Sequence, residues 1–82
     1  MNIDQLQRFL VVADCLNFTT AAERLYIGQS TISRQIAALE QELGVILLIR
    51  GPRSVELTEA GRVLQREGTK LMTHINEVKD KV

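Results

Sequence analysis

Apolar residues recur along this chain at helical spacing in four stretches, with two short β-rich runs between the third and the fourth. Leu6, Phe9, Leu10, Ala13 and Leu16 step by three and four, which predicts a first helix over about Asp4 to Leu16. Asp4 stands where a negative side chain favours a helix N-terminus. Asn17 interrupts the pattern and is suited to cap the element that follows. A second, short helix is predicted over about Phe18 to Tyr26, with a narrow small-residue face of Ala21, Ala22 and Leu25. Thr20 and Glu23 there have capping-box spacing. Ile27 and Gly28 make a tight turn, with Gly28 expected to adopt a backbone that bulkier residues avoid.

The third helix is predicted from about Gln29 to Leu43, ended by Gly44. Ile32, Ile36, Leu39 and Leu43 fall on one stripe, because each residue turns the helix by about 100°. The opposite face carries Ser30, Arg34, Ala37 and Gln41, with Thr31, Ser33 and Ala38 beside it and Glu40 and Glu42 on the flanks. That face is polar, uncrowded and free of acid. Val45 to Arg50 and Ser54 to Leu57 read as two strands around a Gly51-Pro52-Arg53 turn, a hairpin with arginines at its tip. Thr58 caps a final helix running from about Glu59 to the end. In it Leu64, Gly68, Leu71, Ile75, Val78 and Val82 alternate spacings of four and three, a heptad seam that asks for a partner helix. Gly68 costs about 1 kcal/mol relative to alanine inside a helix, and close approach of another backbone is one compensating use.

Composition narrows the function classes. Hydrophobic residues make up 45% and charged residues 24% of the 82, an ordinary globular balance with a core small enough to benefit from an oligomer interface. The formal net charge is zero, so any case for nucleic acid rests on where the charges sit rather than on their sum. No apolar run is long enough to span a bilayer and the N-terminus lacks signal-peptide features, which points to a cytoplasmic protein without a membrane partner. The single cysteine, Cys15, reads as a small buried hydrophobe and permits no internal disulfide. With one histidine, His74, and no paired carboxylates in a plausible pocket, neither an enzyme nor a metal site is expected, and no cofactor is implied.

Two helices joined by a tight turn, the second with short polar side chains outward, meet the requirement for reading a major groove. Arg34 can reach guanine or phosphate, Gln29 can pair with adenine, and Ser30, Thr31 and Ser33 can bond either bases or phosphates. A solvated face of a three-helix bundle has the same periodicity, and on periodicity alone the two readings stand level. Arg50 and Arg53 around the Gly-Pro turn, with Arg62 and Arg66 on the last helix, tip the balance toward DNA. A protein-interaction module with a dimerising helix is the competing reading, and a winged helix of another regulator class is a third.

The run Leu6-x-x-Phe9, Asn17-Phe18-Thr19-x-Ala21-Ala22-x-x-Leu25, Gln29-Ser30-x-Ile32-Ser33-x-Gln35-Ile36-x-x-Leu39-Glu40-x-x-Leu43-Gly44, then Leu47-Leu48-x-Arg50-x-x-Arg53-x-Val55-x-Leu57-Thr58-x-Ala60-Gly61 resembles the LysR-type transcriptional regulators. The match covers most of the chain, in order and without gaps. It implies a mainly α fold: a winged helix-turn-helix of three helices plus a two-stranded β wing, followed by a long linker and dimerisation helix. Residues 1–58 are then the DNA-binding domain and 59–82 the linker helix, which pairs antiparallel with that of a second subunit.

By the same resemblance Gln29, Ser30, Thr31, Ser33 and Arg34 contact the major groove. Arg50 and Arg53 are the wing arginines, Arg53 being the better candidate for the minor groove, and Thr58 starts the linker helix and touches phosphate. Leu64, Gly68, Leu71, Ile75 and Val78 form the dimer interface. The partner implied is double-stranded DNA carrying an interrupted inverted repeat, bound by a homodimer that leaves room for a higher oligomer in the intact regulator. The family's effector-binding domain has no counterpart in these residues. Three positions depart from the family pattern. Gly28 replaces a Ser or Thr cap, Ser30 a frequent proline, and Leu48 a common Phe.

Overall fold

The structure, a computed structural model, describes residues 1–52 and 54–82. Helix α1 spans Ile3–Cys15, α2 Phe18–Leu25, α3 Gln29–Leu43 and α4 Glu59–Lys81; strands β1, Leu48–Arg50, and β2, Val55–Leu57, lie between α3 and α4. The strands pair antiparallel with Leu48 opposite Leu57, Ile49 opposite Glu56 and Arg50 opposite Val55. Helices α1, α2 and α3 enclose a core of Leu6, Phe9, Val12, Ala13, Ala21, Ile32, Ile36 and Leu39, closed from the wing side by Leu47 and Leu48. Phe9 is the largest side chain in it, so aliphatic residues supply most of the packing.

The helix starts come from local chemistry. Asn2 caps α1: its side-chain oxygen accepts from the Gln5 N–H at 2.8 Å, while Gln5 Oε1 accepts from the Asn2 N–H at 3.2 Å, a complete capping box. Asn17 caps α2 by accepting from the Thr20 N–H at 2.9 Å, as the sequence predicts. The capping box expected from Thr20 and Glu23 does not form, because both lie inside the helix that Asn17 starts. Leu16 falls outside α1 as a left-handed cap with φ 50°, and Val12, absent from the predicted stripe, is fully buried. The tight turn before α3 also differs from expectation. Its left-handed residue is Tyr26, at φ 56°, whereas Gly28 is an ordinary extended N-cap at φ −74°. Gly44 is left-handed at φ 70° and ends α3 as predicted. Leu43, the last residue of the α3 stripe, is 42% exposed, because the chain reverses before any element can cover it.

Glu40 staples the wing to α3. Its Oε2 accepts from the Leu47 N–H at 2.8 Å and the Leu48 N–H at 3.3 Å. The sequence suggested only a side chain on the flank of the helix. Hydrogen bonds to a charged group contribute about 1.5–3 kcal/mol each way, and their loss orphans half-buried donors. Glu40→Ala therefore lowers stability by about 2 kcal/mol, read as the midpoint shift in urea unfolding at an unchanged slope. A shift near zero removes the staple from the account of the wing.

Candidate nucleic-acid interface

The outward face of α3 is open. Gln29, Ser30, Arg34, Ala37, Ala38 and Gln41 are exposed, and Thr31 and Ser33 are half-buried beside them. Helix α3 starts at Gly28, which supplies no side-chain hydrogen bond, so the first amides of the helix keep their donors for an outside acceptor. Gln29 Nε2 donates to Thr19 Oγ1 at 3.0 Å, tying the start of α3 to the first turn of α2. Arg34 Nε reaches the Ser30 carbonyl at 3.4 Å, leaving its terminal nitrogens outward.

Arg50 is held rather than extended. Its Nη1 donates to Ser33 Oγ at 3.2 Å, and its guanidinium lies 4.4 Å from the centroid of the Phe18 ring. Stacking over an aromatic face favours the cation and narrows its conformations before any ligand arrives. One wing arginine is thus placed against the recognition helix by α2. Phe18 and Thr19 were visible in the sequence only as part of a motif. Their roles depend on residues ten or more positions away, which spacing does not reveal. Arg53, the other wing arginine, lies outside the described residues.

Three residues placed near DNA by the sequence also make bonds within the protomer. The Thr58 hydroxyl donates to the Ile46 carbonyl at 2.6 Å and accepts from the Gly61 N–H at 3.0 Å, so its proton is committed inside the protomer rather than free for phosphate. Arg62 Nη1 donates to the Leu57 carbonyl at 3.1 Å and Arg66 Nε to Glu67 at 3.3 Å, so both serve α4 and its junction with the wing. Lys70, hydrogen-bonded to the same carboxylate, holds Glu67 below the ordinary carboxylate range, with Arg66 adding to the effect.

The heptad seam divides. A Cβ on Gly68 would stand 2.8 Å from Leu6 Cδ1 and 3.4 Å from Leu10 Cδ2, so its close approach is to α1 of the same chain. Leu64 packs on the core as well. Beyond them Leu71 and Val78 are 45% and 49% exposed, and Ile75 is half-buried. A long helix whose outer half keeps an apolar stripe in water is poised for a partner.

Together these elements define a winged helix-turn-helix extended by a long C-terminal helix. The chain belongs to the lysR family of bacterial regulatory helix-turn-helix proteins, whose family model matches residues 3–62. It is 46% identical over 78 residues to the HTH-type transcriptional regulator ClcR of Pseudomonas putida, across 95% of this chain and 26% of that one. It is 45% identical over 73 residues to XapR of Escherichia coli strain K12, across 89% of this chain and 25% of that one. The chain thus spans about a quarter of the length of the curated relatives it matches.

Among solved structures, the BenM_DBD/catB site 1 DNA complex superposes with a TM-score of 0.95 at 37% identity, covering 99% of this chain and 90% of that one. The CbnR_DBD–DNA complex gives 0.95 at 38%, with 99% and 93% covered. Both relatives hold DNA in those crystals. No helix among the described residues is long and apolar enough to cross a membrane.

Proposed function

We propose that this chain binds double-stranded DNA sequence-specifically as a homodimer, forming the DNA-reading part of a transcription regulator. The observation that carries this reading is the exposed, acid-free outer face of α3, beginning at an uncapped helix N-terminus, on a backbone that superposes on two DNA-bound relatives. Residues 1–58 form the DNA-binding domain and 59–82 the linker helix. In this reading Gln29, Ser30, Thr31, Ser33 and Arg34 meet base edges and phosphates in the major groove. Arg50 and Arg53 serve the wing, with Arg53 directed to the minor groove. Thr58 acts at one remove, by holding the wing to α4. Leu71, Ile75 and Val78 carry the contact between copies, and the protein works in the cytoplasm without enzymatic chemistry.

The uncapped start of α3 supports a backbone-amide contact to phosphate, since a helix N-terminus favours an anion. Zero net charge then has a consequence: affinity rests on a few placed cations and amides, so it starts from a modest value and weakens with salt only in proportion to the few phosphates those cations neutralise.

Selection of bound duplexes from a random library at near-physiological salt, with dimer mass measured in parallel, tests the reading. Enrichment of an interrupted inverted repeat is the expected result. A folded dimer that enriches nothing transfers the assignment to a protein-interaction module. On the enriched site, Arg34→Ala costs about 1–3 kcal/mol and relaxes preference at one position. Equal loss on every sequence reassigns Arg34 to phosphate.

A further inference from the structure

We propose that Arg50 is a specificity-determining residue that acts through Ser33: the guanidinium holds the Ser33 hydroxyl as a hydrogen-bond donor to an acceptor on a base edge. The proposal rests on the DNA-binding reading above. It deepens that reading by fixing the polarity of one contact and by giving a wing residue a part in base selection.

The bond between the two side chains has one possible direction. Arginine has five N–H donors and no acceptor. The 3.2 Å contact from Arg50 Nη1 to Ser33 Oγ therefore fills a lone pair of the serine and leaves its proton unspent. A common outlet for such a proton is the carbonyl one helical turn back, the partner taken by Thr69 on Gln65 and by Thr73 on Thr69. Ser33 makes no such bond among the described residues. Nor has Arg50 a carboxylate partner among them, so its charge is not compensated. That charge polarises the hydroxyl into a better donor and a poorer acceptor. It repels the amino hydrogens of cytosine N4 and adenine N6, and it favours purine N7, guanine O6 or thymine O4.

Two anchors keep Arg50 at this place. Glu40 fixes the approach to β1 through the Leu47 and Leu48 N–H groups. Two turns of α3, about 10 Å, separate Glu40 from Ser33. Three steps of extended chain, also about 10 Å, separate Leu47 from Arg50. The equal rises let the strand that starts at Glu40 deliver Arg50 beside Ser33. The second anchor is the Phe18 ring, whose centroid lies 4.4 Å from the guanidinium. Ser33 itself is half-buried, one turn on from Gln29 and next to Arg34, within the face assigned to the groove. A cation held on both sides against the reading helix acts on that helix, not as a free arm sweeping phosphates.

Selection from a random duplex library tests this with the full chain, Ser33→Ala, Arg50→Met and the double variant, each checked for unchanged helicity. Methionine keeps an unbranched stem and removes the guanidinium. Ser33→Ala is expected to relax preference at one base pair of the wild-type site by about tenfold. Arg50→Met is expected to relax the same pair, and the double variant to discriminate there no worse than either single one. If Arg50→Met weakens every sequence equally, or if the two losses at that pair add, Arg50 is a phosphate contact and the proposal is overturned. A Ser33→Ala variant that relaxes no position overturns it as well. In these cases the wild type still enriches a site and the DNA-binding reading stands, whereas a wild type that enriches nothing overturns both.

Base analogues at that pair read the polarity. Deleting the acceptor, as a 7-deazapurine deletes N7 and 2-aminopurine deletes O6, is expected to cost the wild type about tenfold and Ser33→Ala nothing. If the difference between the two proteins vanishes only when an amino group is deleted, Ser33 is an acceptor and the proposal falls.

Discussion

Gly61→Ala lowers the thermal midpoint by on the order of 12–20 °C, the largest single-residue stability effect expected in this chain. A Cβ at this position would lie 2.2 Å from the Leu47 carbonyl oxygen and 3.1 Å from Leu57 Cδ2. No rotamer relieves a clash made by Cβ, so either α4 or the chain at Leu47 must move. The Leu47 carbonyl is not free to do so. It accepts from the Thr58 N–H at 3.0 Å, while the Leu47 N–H is bound to Glu40. Moving α4 instead pulls the Thr58 cap away from the Gly61 N–H. Either route breaks hydrogen bonds at the point where recognition helix, wing and linker helix meet, and the cost is about 3 kcal/mol. Gly51→Ala is the control. Its Cβ would meet nothing closer than the Ser54 carbonyl oxygen at 3.5 Å, so its midpoint moves little. Equal behaviour of the two variants in a thermal scan would refute the close packing of α4 on the wing.

The pair Leu71→Asp and Ile75→Asp weakens dimerisation by about a thousandfold, because it introduces two carboxylates into an apolar contact on each copy. Folding is spared: Leu71 is half in water and Ile75 lies beyond the Gly68 crossing, so neither contributes to the core around Phe9. The readouts are mass in solution and binding to a full inverted repeat against a single half-site. Wild type favours the full repeat strongly, since the second half-site is reached at high effective concentration. The variant binds both DNAs alike and weakly. A variant that keeps its dimer mass would remove the outer stripe of α4 from the interface.

Much of the fold was legible because helical periodicity, caps and stop signals are local. Ile32, Ile36 and Leu39 are buried as their spacing predicts, Asn17 and Thr58 are the caps of α2 and α4, and Gly44 ends α3. Local rules failed where two signals competed. Glycine was the expected left-handed residue of the turn, yet Tyr26 takes that backbone because its N–H closes the end of α2 on the Ala22 and Glu23 carbonyls. The polar face of α3 was readable as well, since every member of it is on one element.

What was not readable is everything that joins elements. Hydrophobic spacing and turn chemistry determined by themselves the four helices, the hairpin, the outer face of α3 and the need of α4 for company. Each depends only on neighbours a few residues apart. Only the tertiary structure decided that Glu40 holds the wing, that Phe18 and Ser33 hold Arg50, and that Thr58 bonds the chain before β1 rather than an outside acceptor. It also split one heptad seam in two, giving Leu64 and Gly68 to the chain's own core and leaving Leu71 and Val78 in water. A seam is a property of one helix. Which part of it faces a partner depends on where α1 crosses, and that crossing is set by packing between residues some sixty positions apart.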